Sequence, residues 1–148
     1  MDSAFKLMHC NWQQSHEALA AVRRAVFIEE QHVPKALELD EADKSFHHVL
    51  VTNADDLPIG TGRIGPDGHI GRMAVLQAYR RRGVGSALLS ALLEYARQKK
   101  LAGVYLHAQL GAIPFYEKHG FIVSGEQFMD AGIAHRNMVY RFTEGTSG

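Results

Sequence analysis

The sequence predicts a mixed α+β fold: a largely antiparallel central sheet flanked by helices. Three observations predict it. Strand-like runs in the first half are joined by the turn signals "NADDLP" and "GPDG", short connections that suit antiparallel neighbours. Residues 84–99 carry Ala87, Leu88, Ala91, Leu92 and Tyr95 on one helical stripe, widened by Leu89 and Leu93. A stripe that broad buries against a sheet. A strand, a short helix and two further strands then follow it.

Taken in order, Ser15 is the candidate N-cap of a helix over residues 16–29, where Leu19, Val22 and Val26 recur at helical spacing. "HVPKALELDEADKS" is acidic, is broken by Pro34, and reads as a loop or short helix. "FHHVLVT" is β-like, with His47 and His48 expected on opposite faces. "IGTGRI" alternates weakly and pairs with it as a hairpin, and "HIGRMAVL" is the next strand. After the long helix, "GVYLHAQ" is a strand and "AIPFYEKHG" a short helix stopped by Gly120. "FIVSGEQF" and "RNMVYRF" are strands, and "TEGTSG" reads as a frayed tail. No repeat or linker interrupts the order, so residues 1–148 are expected to form a single domain.

Composition removes several function classes. Lysine plus arginine equals aspartate plus glutamate, 16 each, so no global field draws in nucleic acid or an anionic membrane. The single cysteine, Cys10, allows no internal disulfide and no thiolate metal site, which suits a reducing cytosol. The first ten residues hold no long apolar run, so neither a signal peptide nor a membrane span is expected. The nine histidines show no convincing metal spacing, and no metal is expected.

The densest chemistry lies in "YRRRGVGSALL". Arg80, Arg81 and Arg82 lead into Gly83 and Gly85 at the mouth of the long helix. The first turn of a helix exposes unpaired backbone amides, and the macrodipole adds positive potential there. Glycines allow an anion to approach the main chain, and guanidinium groups supply forked donors. Two readings stay open on these residues alone: a solvated turn, or a phosphate site. A Walker A loop is excluded because Gly85 is followed by Ser86 and Ala87 rather than by Lys and Ser/Thr. A dinucleotide fingerprint is excluded because the glycines do not directly follow a strand.

Arg80-x-x-Gly83-x-Gly85 after "RMAVL", with "PFYEKHGF" downstream, resembles the acyl-CoA signature of the GNAT superfamily of N-acyltransferases. "VFIEEQHVP", the acids Glu38, Asp40 and Asp43, and "GIAHRNM" are similar to its ElaA/YjcF-like branch. The resemblance implies coenzyme A, as acetyl-CoA, with its pyrophosphate on the loop from Arg80 through Arg81, Arg82, Gly83, Val84 and Gly85 to Ser86. It implies that Met73, Ala74 and Val75 hold the pantetheine arm by main-chain hydrogen bonds, in a split between this strand and "VYLHAQ". It implies direct attack of a primary amine, in a small molecule or a peptide, on the thioester. Homodimers are common in the superfamily.

A thiol has an unperturbed pKa of about 8.5 and a tyrosine about 10, so a neutral tyrosine can donate a hydrogen bond or a proton to a departing thiolate. Tyr116, which matches the family's tyrosine, is the candidate acid; the alternative is a packing residue. Phe115 beside it reads as core. For the base, Glu30 after the first helix and His135 in a loop before the last strand are both candidates. Arg72 is a candidate for orienting the substrate, or a surface arginine. The run Asp40, Glu41, Asp43 is either a field for a cationic amine or a solvated loop. Where the family usually has an asparagine, this chain reads "HAQLGA", so His107 or Gln109 occupies related space. A non-catalytic CoA-binding regulatory module shares the glycine loop and differs only in chemistry. A nucleic-acid binder would use the same arginines but lacks interleaved aromatics.

Overall fold

The computed structural model describes residues 4–38 and 40–142, with residues 36 and 37 as backbone only. The tail read as frayed, 143–148, lies outside the described residues. Seven strands form one sheet in the order β1-β2-β3-β4-β5-β7-β6. They are β1 (Phe5–Cys10), β2 (His47–Asn53), β3 (Pro58–Ile64), β4 (His69–Val75), β5 (Gly103–Gln109), β6 (Ile122–Asp130) and β7 (Ile133–Arg141). Every adjacent pair is antiparallel except β4 with β5. The mixed, largely antiparallel sheet is therefore as the sequence predicts. The edge strand β1 is an addition: half its residues are exposed and its alternation is too short to stand out.

The helices are α1 (Trp12–Arg23), α2 (Lys35–Glu38), α3 (Val84–Gln98) and α4 (Ile113–Lys118). Helix α1 starts earlier than predicted. Asn11, not Ser15, is its N-cap, with its side chain accepting from Gln14 N at 2.8 Å. Ser15 instead kinks the helix, with φ −124° and ψ 15°. Beyond Arg23 the chain widens into a π-helical segment, Arg24–Glu30, closed by Gln31 N donating to Val26 O at 3.0 Å. The acidic stretch after it forms α2 and a 3₁₀ turn, Glu41–Lys44.

Helix α3 buries Val84, Leu88, Leu89, Leu92 and Ala96 on one face of the sheet. It sits close because β3 offers glycines there: a Cβ on Gly60 would lie 2.9 Å from Val84 Cγ1. Helix α1 lies on the opposite face, where Val22 and Val26 cluster with Ala74 of β4. Among the described residues no helix is long and apolar enough to cross a membrane.

Two irregularities shape β4. Its register with β3 shifts between Thr61/Ala74 and Arg63/Gly71, a bulge at which Arg72 takes φ 50°. Its pairing with β5 ends after His69↔Tyr105 and Ile70↔Leu106. Beyond that point β5 pairs only with β7, and the sheet opens as a fork.

Candidate active site

The fork opens into a groove of about 860 Å³. One side is lined by Arg72, Met73, Ala74 and Val75 of β4, and the far end by Arg80, Arg81, Gly83, Gly85 and Ser86. Tyr116 of α4 and His135 of β7 line it as well. Residues scattered over more than sixty positions of the sequence thus meet around one space.

At the open end, Arg81 and Gly83 both adopt left-handed backbone, φ 65° and φ 85°. Such turns gather amides into an anion-binding concavity. Gly83 is the N-cap of α3 and no side chain caps it. The first intrahelical bond runs from Ala87 N to Gly83 O, which leaves the amides of Val84, Gly85 and Ser86 without helical carbonyls. A Cβ on Gly85 would meet only the Phe115 ring, at 3.5 Å, an ordinary contact. Packing within the protein therefore does not require glycine at 85. Ser86 Oγ lies 3.1 Å from His119 Nε2, tying α3 to the end of α4.

The arginines divide. Arg81 reaches the groove, but Arg82 does not line it; its guanidinium lies over the Tyr79 ring, 5.7 Å from the centroid. Arg80 is held in a clamp: Nε donates to Val75 O at 2.9 Å, and the two terminal nitrogens donate to the Glu30 carboxylate at 2.7 and 2.6 Å. Val75 O is thereby occupied. Val84 has its side chain in the core, so only its main chain faces outward tasks.

This clamp changes the reading of Glu30. It does not line the groove, and hydrogen bonding from Arg80 holds its carboxyl below the usual range, the opposite of what a base at neutral pH needs. His135 is also differently placed: it lies within β7, buried, rather than in a loop. Its Nδ1 is 2.7 Å from Ile133 O. A carbonyl only accepts, so Nδ1 carries the proton and Nε2 of the neutral ring keeps the lone pair.

The acidic run is not an open field. Asp43 is buried between Arg23 and Arg63, accepting from each at 2.7 Å. Asp40 accepts two hydrogen bonds from Arg63, both 2.9 Å, and these hold its carboxyl down at about 2. Arg72 donates to Glu38 O at 2.9 Å and reaches Asp40 at 3.4 Å. Arg23, Arg63 and Arg72 against Glu38, Asp40 and Asp43 make a balanced, interlocked cluster that anchors the segment after α1 to β3 and β4. Spacing in sequence could not show this, because partners lie up to 34 positions apart.

Tyr116 reaches across the groove from the α3 side, its hydroxyl 3.8 Å from Met73 Sδ. Burial pushes its phenol up to about 12, so it is a neutral donor at physiological pH. Phe115, read as core, packs on the core and also lines the groove. Three contributors escaped the sequence reading. Gln31, at the end of the π-helical segment, accepts from Gln109 Nε2 at 3.0 Å and bridges the fork. His69 and Lys118 also line it.

The chain matches the family described as "Acetyltransferase (GNAT) domain" over residues 12–142. It is 39% identical to the uncharacterized N-acetyltransferase YjcF of Bacillus subtilis over 122 residues, 80% of this chain and 86% of that one. Among solved structures, a putative N-acetyltransferase from Lactobacillus plantarum superposes with a TM-score of 0.85 at 30% identity, covering 93% of this chain and 98% of that one. ElaA of Escherichia coli superposes with a TM-score of 0.82 at 28% identity, covering 93% and 99%. These proteins are alike in fold and in sequence along most of the chain, and the chain belongs to the GNAT acetyltransferases, as an acyltransferase of the branch that holds YjcF and ElaA.

Proposed function

We propose that the protein transfers an acetyl group from acetyl-CoA to a primary amine, by direct attack of the amine on the thioester. The observation that carries this reading is the fork, which opens from the bulged β4 onto uncapped helical amides beside an unobstructed Gly85. The pyrophosphate rests on the amides from Arg81 to Ser86, where the helix end and paired left-handed turns favour negative charge. The pantetheine arm is a chain of amides. It lies along the unpaired edge of β4 at Met73 and Ala74 as an added strand would. This direction leads the thioester away from α3 toward the closed end of the fork.

Tyr116 hands a proton to the departing thiolate, and burial keeps its phenol protonated near neutral pH until the thiolate forms. Arg80 acts through its side chain as a brace, joining Glu30 to the end of β4, and its own amide is donated to Gln77 O at 3.3 Å. Arg72 orients the acceptor from the α1 side. We take residues 1–148 as one domain that works in the cytoplasm. Exposed Ile122 and Met129 on the edge strand β6 fit a homodimer, which light scattering can test.

The decisive assay follows free thiol released from acetyl-CoA across small amines, amino acids, peptides and aminoglycosides. Amine-dependent release with an acetylated product by mass spectrometry is expected. Binding of acetyl-CoA without turnover of any amine would instead identify a CoA-binding regulatory module.

A further inference from the structure

The closed end of the fork carries rings that the signature residues do not account for. His69 stacks on Tyr105 at 4.7 Å and 7°, and His69 lies 5.0 Å from His107. His107 meets Phe128 edge-on at 5.2 Å, and Phe128 stacks on His135 at 5.8 Å. Val104, Leu106 and Ala108 of β5 are buried in the core with α3, so Tyr105, His107 and Gln109 project to the other face, the side of α1 and Arg72. Leu106 is the last β5 residue paired with β4. His107 therefore stands immediately past the apex of the fork, exposed, and lines the groove.

We propose that His107 removes the proton from the acceptor amine as its nitrogen attacks the thioester carbonyl, with His69 as a positioning residue beside it. The assignment rests on the N-acetyltransferase reading, because that reading brings the thioester to the apex. Two other imidazole or carboxylate candidates are worse placed. Glu30 is committed to Arg80, and His135 is buried on β7, which does not adjoin β4. The support around His107 is built. Asp67 accepts from the Tyr105 hydroxyl at 2.8 Å and from the His69 amide at 3.2 Å, fixing the pair of stacked rings against which His107 leans. The charged and titratable groups around the pair are Asp67, Arg63, Arg72 and Tyr105, with Asp130 and His135 further along the same groove. Burial first, and then the neighbouring His107 and arginines, hold His69 below the ordinary imidazole range, so it stays neutral near neutral pH.

The step balances as follows. The amine lone pair forms the C–N bond, and His107 takes one proton from the nitrogen. The C–S bond breaks with its electron pair on sulfur, and Tyr116 supplies the proton that makes coenzyme A thiol. The proton on His107 returns through water to the tyrosinate, and the exposed imidazole gives it that route.

The test compares wild type, His107→Ala and His107→Gln for thiol release across pH, with thermal protection by acetyl-CoA measured on each. Both variants should keep protection, while kcat falls by about 100-fold or more, within the range of general-base catalysis. Added imidazole should restore part of the rate to His107→Ala, and the acidic limb of the wild-type profile should vanish in both variants. Turnover within about threefold of wild type, or a loss with neither imidazole rescue nor a changed pH profile, overturns the assignment. If wild type itself acetylates no amine, the N-acetyltransferase reading falls first; if wild type turns over and the variants match it, only His107 falls.

Discussion

The hydroxyl of Tyr116 lies 3.8 Å from the sulfur of Met73, so a phenol on α4 touches the bulged strand across the groove. The contact fixes the donor beside the strand edge along which a pantetheine arm would run. Tyr116→Phe keeps the ring and its packing but removes the proton. We expect kcat to fall by about 10²-fold or more, with acetyl-CoA affinity nearly unchanged. An undiminished rate would remove Tyr116 from the mechanism.

Gly85 separates the needs of the fold from those of the ligand. A Cβ there meets Phe115 at an ordinary 3.5 Å, and alanine is the better helix former by about 1 kcal/mol. Gly85→Ala should raise the melting temperature slightly, and Gly85→Val should still fold. Both should lose thermal protection by CoA, the larger side chain more completely. Full protection in Gly85→Val would move the phosphate site elsewhere.

Glu30 and Arg80 form a half-exposed bidentate pair. Pairs of this kind contribute about 0–1 kcal/mol. Glu30→Gln should therefore shift stability little and leave kcat within about threefold. A collapse in kcat with intact CoA binding would restore Glu30 as the base.

Asp40 sets a pH dependence. Its carboxyl is held at about 2 by Arg63, below the ordinary value near 3.9. A folded-state pKa below the unfolded one favours the fold above about pH 4, and that contribution is lost as pH falls toward 2. Acid unfolding followed by circular dichroism should thus be less steep in Asp40→Asn across this window, while the variant is less stable at neutral pH. Identical acid profiles would mean that the Arg63 pair does not persist in solution.

The order of strands and helices was legible before folding, because hydrophobic period and turn residues act over a few neighbouring positions. The stripe on α3, the "GPDG" turn and the Gly120 stop are all local signals. So is the glycine loop, whose two left-handed residues and uncapped helix follow from Gly83 and its neighbours. Tyr116 was a candidate through its motif, and the fold sets it on the groove. Which charges cancel is set by folding: the run with Asp40 and Asp43 read as either a field for a cationic amine or a solvated loop, and instead Arg23, Arg63 and Arg72 are brought onto it from three other elements. The same holds for Glu30, whose partner lies 50 positions away, and for His69 and His107, which become neighbours only because β4 and β5 pair side by side before they part. Electrostatics and proton transfer act through space at a few ångströms, and separation along the chain carries almost no information about such distances.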